Sequence, residues 1–282
     1  MPDTVVAGPR SVELATEIAE AAGAALVVPE HRRFPDSEVY IRLGSPVGDE
    51  VLFVQNAYPD VGVVELLLLV DLLHDRGAGR IDLLVPYLGY SRQDRAFQEG
   101  EAISVLTILR HITDRVDSLA LIDVHAPHVL DTLPVPGRNI YPARSFAAFL
   151  RGVDAVLAPD KGARHRAEAV AAHLSVPWDH LEKRRLDAET VVMEPKRLDV
   201  AGRAVAIIDD IISTGGTIAR AAEHLRGQGA TRVVAACTHG LFTGDAFERL
   251  GHLDGVHSTR TIVTRASAIP LGAELASELF GR

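Results

Sequence analysis

Short apolar runs rich in Val, Ile, Leu and Ala alternate with stretches of helical periodicity along the whole chain. In the first half this pattern predicts strands at residues 4–7, 26–29, 51–55, 81–86 and 118–123, separated by helices at 11–22, 61–76 and 102–112. In the second half it predicts strands at 155–158, 205–209, 233–238 and 257–263, with helices at 164–174, 217–227 and 243–251. Because strands that alternate with helices form parallel sheets with helices on their faces, the sequence predicts an α/β fold.

The two halves of the chain repeat one plan. In each half an apolar strand that ends in proline precedes a polar loop, in the sequences LLVPYLGYSRQDR and AVLAPDKGARHR. The segment GRNIYPARSFAAF, which contains Pro142, separates the halves and favours a boundary there. A length of 282 residues suits two α/β domains. We therefore predict two similar domains at residues 1–142 and 143–282, each with a mostly parallel sheet.

Charge and composition narrow the range of functions. The net charge of −9 argues against nucleic-acid binding, which needs a basic face. The longest apolar run, residues 61–73, contains Glu65 and Asp71 and is too short to cross a bilayer, and the start of the chain lacks the pattern of a secretory signal. The single cysteine, Cys237, is typical of a small buried side chain in a reducing compartment. We expect a cytoplasmic protein without nucleic-acid or membrane partners.

The segment RAVAIIDDIISTGGTIARAAEHL carries the strongest chemical signal. A buried strand is predicted to run into Asp209 and Asp210, followed by a tight loop at 213–217 and a helix. Glycines let the backbone approach an anion closely, and hydroxyls together with a helix N-terminus supply hydrogen-bond donors. Carboxylates are poor phosphate ligands but good acceptors for sugar hydroxyls, so the segment is predicted to bind a sugar phosphate. An acidic strand end followed by an ordinary helix cap is the structural alternative.

This segment resembles the phosphoribosyl-pyrophosphate (PRPP) loop of the phosphoribosyltransferase fold. Over residues 3–265 the chain is similar to ribose-phosphate pyrophosphokinases (PRPP synthetases), above all to their short archaeal-type form. The resemblance implies two phosphoribosyltransferase-like domains, Mg²⁺ as cofactor, and assembly as a homo-oligomer. It implies that ATP and ribose 5-phosphate are the substrates, with the diphosphoryl group of ATP moving to the 1-hydroxyl of the sugar. It assigns ribose 5-phosphate binding to Asp209, Asp210, Ser213, Thr214, Gly215, Gly216 and Thr217.

One position in this loop departs from the family pattern. Many relatives have Asp where this chain has Ser213. We expect the hydroxyl of Ser213 to keep contact with the 5-phosphate.

Two segments of the first half are candidate nucleotide loops. From the residues alone, RRFPDSEVYIRL is a Pro-Asp turn before a strand, and PYLGYSRQDR is either a loop suited to a triphosphate or solvated surface. The resemblance implies that both segments contact ATP. It assigns ATP binding to Phe34, Asp36, Glu38, Arg92, Gln93 and His125.

Two further segments contain candidate metal positions. LIDVHAPHVL includes Asp123, His125 and His128, whose spacing leaves zinc as an alternative, although no complete ligand set is visible. VLAPDKGARHRAEAV places Asp160 and Lys161 in a strand–loop–helix turn. The resemblance implies that His125 and Asp160 lie at the metal of the Mg²⁺–ATP complex. It also implies that Lys161 offsets the charge of the transferred diphosphate.

The stretch LEKRRLDAETVVMEPKRL fits neither a helix nor a strand and is predicted to be a mobile flap. Of the 29 basic residues only three are lysines, which favours a specific use for Lys183 in this stretch, whereas a solvated face of three cations is the alternative. The resemblance implies that Lys183 and Arg185 are catalytic.

Two other functions remain open. A phosphoribosyltransferase that consumes PRPP would share the loop DDIISTGGT, but it typically needs one domain, and the segments FPDSE and SRQDR would be unexplained. A non-catalytic regulatory relative would be expected to lose the catalytic-loop residues, whereas Lys183 and Arg185 are present. The sequence lacks a P-loop and the protein-kinase motifs, which excludes those two schemes of phosphoryl transfer from ATP.

Overall fold

The computed structural model describes residues 2–185, 191–195 and 198–281. The chain forms two compact units. Unit 1 comprises Met1–Ile140 with Leu271–Arg282, and unit 2 comprises Tyr141–Pro270. The chain therefore leaves unit 1 once and returns to it at the C-terminal end.

Unit 1 is built on a six-stranded parallel sheet in the order β2-β1-β5-β6-β7-β8. Its strands are β1 (Thr4–Ala7), β2 (Ala25–Val27), β3 (Glu30–Arg33), β4 (Val39–Arg42), β5 (Glu50–Val54), β6 (Arg80–Val85), β7 (Ser118–Ile122) and β8 (Gly137–Ile140). Its helices before residue 140 are α1 (Val12–Ala22), α2 (Asp60–Asp75) and α3 (Ser104–Ile112), with a 3₁₀ helix at Pro127–Thr132.

The central strands of this sheet are largely apolar on both faces because helices cover both. Alternate residues of one strand enter different cores: Val6 of β1 packs with one hydrophobic cluster, and Val5 and Ala7 pack with the other. The continuous apolar runs that predicted these strands are the consequence of this two-sided burial.

Strands β3 and β4 form a separate antiparallel hairpin. The sequence predicted its turn and the strand that follows, but not β3. Its first strand reads EHRR and is exposed throughout, so it carries no apolar alternation. The Arg32 guanidinium lies 4.0 Å from the ring centroid of Tyr40, its cross-strand partner, and 5.3 Å from that of Phe34. Cation–π contacts join the two strands on this face, and Ile41 of β4 packs against a hydrophobic cluster of unit 1.

Unit 2 is built on a seven-stranded sheet in the order β11-β10-β9-β12-β13-β14-β15. Its strands are β9 (Ala155–Ala158), β10 (Trp178–Arg185), β11 (Val191–Pro195), β12 (Ala204–Ile212), β13 (Arg232–Gly240), β14 (Gly255–Thr259) and β15 (Ser267–Ile269). Its helices are α4 (Ala143–Phe149), α5 (Arg164–Leu174), α6 (Gly216–Gly227) and α7 (Ala246–Arg249). All neighbouring strands are parallel except β10 and β11.

The segment predicted as a mobile flap of neither helix nor strand contains strand residues at 181–185 in β10 and at 191–195 in β11. The first residues of β10 pair in parallel with β9, and its later residues pair antiparallel with β11. The register places Lys183 opposite Met193 and Arg185 opposite Val191. Strand β11 lies at the edge of the sheet, with β10 as its neighbour.

The last helix, α8 (Gly272–Phe280), packs on α1 in unit 1. Its Leu275 and Phe280 are buried in the same cluster as Leu14 and Ile18, whereas the sequence placed residues 271–282 with the second half. One carboxylate oxygen of Glu17 accepts hydrogen bonds from the backbone amides of Leu271 and Gly272, at 3.0 and 3.1 Å, and so satisfies donors at the start of α8.

Two α/β units with parallel sheets flanked by helices confirm the predicted fold class. Among the residues that the structure describes, no helix is long and apolar enough to span a membrane.

Candidate active site

The loop after β12 has the geometry expected of an anion site. The strand ends at Ile212, Gly215 adopts φ 74°, and α6 begins at Gly216. This left-handed turn suits glycine, and it directs the chain into a 12-residue helix whose first amides lack intrahelical acceptors. Thr214 and Thr217 are exposed beside it. The loop therefore presents hydroxyls and a helix N-terminus to solvent.

Residues that follow β13 hold this loop in place. The Ser213 hydroxyl lies 3.1 Å from the Thr243 hydroxyl, and the Thr243 amide donates to the Ser213 carbonyl at 3.0 Å. The Arg249 guanidinium donates to the Thr214 carbonyl at 3.4 Å. Thr243 and Arg249 carry no motif in the sequence, and only their position after a neighbouring parallel strand could have pointed to them.

Asp209 and Asp210 lie near the carboxyl end of β12 and differ in their surroundings. Asp209 is partly accessible, whereas Asp210 is buried. Burial raises the pKa of Asp209 well above its ordinary value, and the neighbouring charge of Asp210 raises it further. A carboxyl that is costly to ionise gains from partners that donate hydrogen bonds to it, such as sugar hydroxyls.

Asp210 is anchored by a partner that the sequence did not reveal. Its carboxylate forms an ion pair with Arg166 of α5 at 3.4 Å, and both side chains are buried. The amide of Ile211 donates to the other carboxylate oxygen at 2.8 Å. Because β9 and β12 pair with Leu157 opposite Ile207, the loops that follow them leave the sheet side by side. The pair formed by Arg166 and Asp210 ties α5, which follows the β9 loop, to the end of β12.

The loop between β9 and α5 contains Asp160 and Lys161, both exposed. Asp160 Oδ1 accepts the amides of Gly162 at 2.7 Å and Ala163 at 3.2 Å, which fixes the carboxylate at the start of α5. Within the described part of the chain, the other carboxylate oxygen of Asp160, Oδ2, accepts no hydrogen bond. The Arg164 guanidinium donates a hydrogen bond to the Lys161 carbonyl at 3.0 Å, and this bond stabilises the turn.

Strand β10 extends past the point where β9 ends. His180 pairs with Ala158, the last residue of β9, and Lys183 follows three residues later. At about 3.3 Å per residue, the backbone of Lys183 lies roughly 10 Å beyond that pair, at the edge where Asp160 follows β9. The side chains of Lys183 and Arg185 lie outside what the structure describes.

In unit 1 the loops after the neighbouring strands β6 and β7 meet. Asp94, in the loop after β6, lies 3.5 Å from His128, in the 3₁₀ helix after β7. The Gln93 side-chain amide donates to the Arg95 carbonyl and to Glu101, both at 3.2 Å, and Glu101 also accepts the Phe97 amide at 2.7 Å. These bonds shape the loop that carries Arg92, whose own side chain is exposed.

His125 follows β7 and is exposed, whereas Asp123 is buried and adopts φ 43°. The Asp123 amide donates to the Ile140 carbonyl at 2.8 Å, so this turn is joined to the neighbouring strand β8. Across the described ranges of the chain, no group of three or more His, Cys, Asp or Glu side chains is placed to hold a metal ion.

Phe34, Asp36 and Glu38 occupy the tip of the β3–β4 hairpin. The Phe34 ring is 40% exposed and meets Tyr40 edge to face at 5.7 Å. The Asp36 carboxylate accepts the Glu38 amide at 3.1 Å, and this bond stabilises the turn that the Pro-Asp pair predicted. The hairpin thus presents one accessible aromatic face beside two acidic residues.

Two family models match this chain, and they define a protein with phosphoribosyltransferase-type domains. The model of the phosphoribosyl transferase domain matches residues 143–252, and the model of the N-terminal domain of ribose phosphate pyrophosphokinase matches residues 4–114. Together they cover most of both units.

Individual relatives agree with these models. Ribose-phosphate pyrophosphokinase of Thermococcus kodakarensis is 44% identical over 260 residues, which are 90% of this chain and 92% of that protein. Ribose-phosphate pyrophosphokinase of Pyrococcus furiosus is 40% identical over 277 residues, with coverage of 96% and 98%. The crystal structure of phosphoribosylpyrophosphate synthetase from Mycobacterium smegmatis matches with a TM-score of 0.82 at 26% identity and covers 100% of this chain and 99% of that one. The chain belongs to the ribose-phosphate pyrophosphokinase family, and it is an enzyme.

Proposed function

We propose that this enzyme transfers the diphosphoryl group of ATP to the 1-hydroxyl of ribose 5-phosphate, giving PRPP and AMP. The observation that carries the proposal is the loop after β12. There two acidic residues at a strand end precede a left-handed glycine and the N-terminus of α6. One short segment therefore offers donors to a phosphate and acceptors to sugar hydroxyls, in a chain whose relatives are named ribose-phosphate pyrophosphokinase.

The sugar phosphate occupies this loop in the proposed complex. Its 5-phosphate accepts hydrogen bonds from residues 213–217, where Thr214 and Thr217 already face solvent. Its ring hydroxyls donate to Asp209 and Asp210. Arg166 supports this arrangement because it compensates the charge of Asp210.

ATP uses loops of unit 1 in the proposed complex. Its adenine stacks on the exposed ring of Phe34, with Asp36 and Glu38 beside it. Arg92, Gln93 and His125 contact the rest of the nucleotide. The exposure of Arg92 and His125 and the contact between their loops support this placement.

Mg²⁺ fits the donors of the β9–α5 loop. Magnesium is held by one or two carboxylates together with substrate phosphates and water, so a complete protein cage is not required. Asp160 offers such a carboxylate, oriented by two backbone amides. We propose that Asp160 holds the ion. When bound, Mg²⁺ supplies neutralisation of phosphate charge.

The reaction is a direct displacement at the β-phosphorus. The 1-hydroxyl oxygen of the sugar forms a bond to this phosphorus and releases its proton to solvent. The bond to the α–β bridging oxygen breaks, and AMP leaves with that oxygen. Transfer of this kind depends on positioning and charge stabilisation more than on covalent catalysis. Lys183 and Arg185 stabilise the charge that develops on the transferred group, and Lys161 offsets the diphosphate charge.

The enzyme is further proposed to assemble as a homo-oligomer. Val64, Leu67 and Leu68 share one face of α2 at helical spacing and are 49%, 37% and 45% exposed. An apolar face of this kind favours a protein contact. Light scattering measures the mass in solution, and Leu68→Glu is expected to lower it. A monomeric wild-type protein would contradict the assembly.

The function is tested by incubating the protein with ATP and Mg²⁺, with and without ribose 5-phosphate. We expect AMP and PRPP in equal amounts, measured by chromatography and phosphorus NMR, only when the sugar is present. Formation of ADP would contradict diphosphoryl transfer. A parallel incubation of PRPP with adenine tests the phosphoribosyltransferase alternative, which predicts release of diphosphate from PRPP.

A further inference from the structure

A buried carboxylate in α2 has no part in the chemistry above. Glu65 is fully buried and accepts four hydrogen bonds. Arg10 donates to both of its oxygens, at 2.9 and 3.1 Å, in a bidentate pair. His31 Nε2 lies 3.0 Å from Oε1, and the Gln55 amide lies 3.3 Å from Oε2. These contacts fill the acceptor sites of the carboxylate.

The partners of Glu65 come from separate elements of unit 1. Arg10 precedes α1, and Gln55 follows β5, so both lie at the carboxyl edge of the sheet, where ligand loops of α/β proteins gather. Gln55 Oε1 also accepts the Arg10 amide at 3.1 Å. A methyl group on Gly8 would lie 2.0 Å from that same oxygen, so the close approach of Gln55 requires glycine at this position. The network is therefore closely packed.

His31 is the member of this network that belongs to the β3–β4 hairpin. Side chains alternate along a strand, so His31 and Arg32 point to opposite faces of β3. Arg32 lies over the rings of Tyr40 and Phe34, on the face that stays accessible. His31 reaches the buried carboxylate on the other face. The hairpin is thus fastened by one face and presents Phe34 on the other.

We propose that Glu65 and His31 are positioning residues for the nucleotide: they anchor the β3–β4 hairpin so that Phe34, Asp36 and Glu38 are held ready to receive the adenosine part of ATP. This inference rests on the proposed function, in which that hairpin binds ATP. The physical reason is entropic. A hairpin without this anchor samples orientations that cannot bind, and the apparent affinity falls in proportion to the competent fraction.

Four single variants test the anchor. His31→Ala removes the hairpin's bond to Glu65, and His31→Gln restores a nitrogen donor at a similar distance from the backbone. Arg42→Gln is the matched control, because it removes an exposed ion pair with Glu30 inside the same hairpin. Glu65→Gln weakens the bonds to both Arg10 and His31, so it is expected to lower the melting temperature as well as the affinity.

The main readout is the Kd of Mg²⁺–ATP, measured by titration calorimetry without ribose 5-phosphate. Loss of a charge-assisted anchor is expected to raise this Kd about tenfold in His31→Ala. His31→Gln should recover most of the affinity, and Arg42→Gln should match the wild type. The KM for ribose 5-phosphate should stay within about twofold in His31→Ala, and hydrogen exchange of residues 30–42 should become faster.

The outcomes separate this inference from the proposed function. An unchanged Kd for ATP in His31→Ala, or an equal loss in Arg42→Gln, overturns the positioning role even if the wild type makes PRPP. Lower thermal stability of His31→Ala with unchanged ATP affinity would show a structural role alone and also overturns it. A wild-type protein that binds ATP but releases no AMP with ribose 5-phosphate overturns the proposed function, while the Kd comparison still decides the anchor.

Discussion

Replacement of Gly215 by alanine tests the backbone geometry on which the sugar-phosphate loop depends. Gly215 has φ 74°, a conformation that costs an alanine about 1–2 kcal/mol. A Cβ at this position would lie 2.9 Å from Leu250 Cγ and 3.0 Å from Leu250 Cδ1. Leu250 is 1% exposed in the core of unit 2, so its branched end has little room to move. Overpacking of this kind costs about 1–3 kcal/mol.

Together these effects are expected to destabilise unit 2 by about 2–5 kcal/mol, which lowers its melting temperature by on the order of 10 °C. Calorimetry or urea unfolding followed by circular dichroism measures this loss. We also expect a higher KM for ribose 5-phosphate, because the strained turn redirects the amides at the start of α6.

Gly216→Ala is the matched control. Gly216 is not among the residues with positive φ, and a Cβ there would have Thr214 Oγ1 as its nearest neighbour, at 3.9 Å. Its free energy of unfolding should stay within about 0.5 kcal/mol of the wild-type value, as is usual for a benign substitution, so its melting temperature should change little. Equal stability of Gly215→Ala and the wild type, or equal losses in both variants, would refute the reasoning.

Two further predictions concern charged groups of the site. The pKa of Asp209 is raised in the folded protein. The protonated carboxyl therefore stabilises the fold fully below the ordinary pKa of about 3.9, and this stabilisation is lost as the pH rises through the pKa of the folded state. Asp209→Asn, which cannot ionise, should therefore gain melting temperature over the wild type by a margin that grows from pH 4 to pH 8; a margin that shrinks would contradict the sign. Lys183→Ala should lower kcat by on the order of 10²–10³ with a smaller change in the KM for ribose 5-phosphate, measured by AMP release, and near wild-type turnover would remove Lys183 from its proposed role.

The candidate site was only partly visible in the sequence. The segment DDIISTGGT predicted a strand, a tight loop and a helix, and the structure places them at residues 204–227. The partners that hold the site were not visible: Arg166 on Asp210 and Thr243 on Ser213 come from distant parts of the chain. A hint existed for Glu65, since an acidic residue inside an apolar helix needs a partner, but the sequence did not reveal which one.

The sequence by itself determined the central strands and most of the flanking helices of both units. Burial on both faces demands continuous apolar runs, and such runs can be recognised locally. Helix α5 begins and ends where its periodicity predicted, at Arg164 and Leu174.

Only the tertiary structure decided the edges of the fold and the geometry of its sites. In the β3–β4 hairpin, the exposed and charged strand β3 is held by the contact of Arg32 with aromatic rings and by the bond of His31 to Glu65. Helix α8 joins unit 1 because its apolar face fits α1, a contact between opposite ends of the chain. The period of a local pattern specifies an element, whereas its partners depend on contacts between residues far apart in sequence.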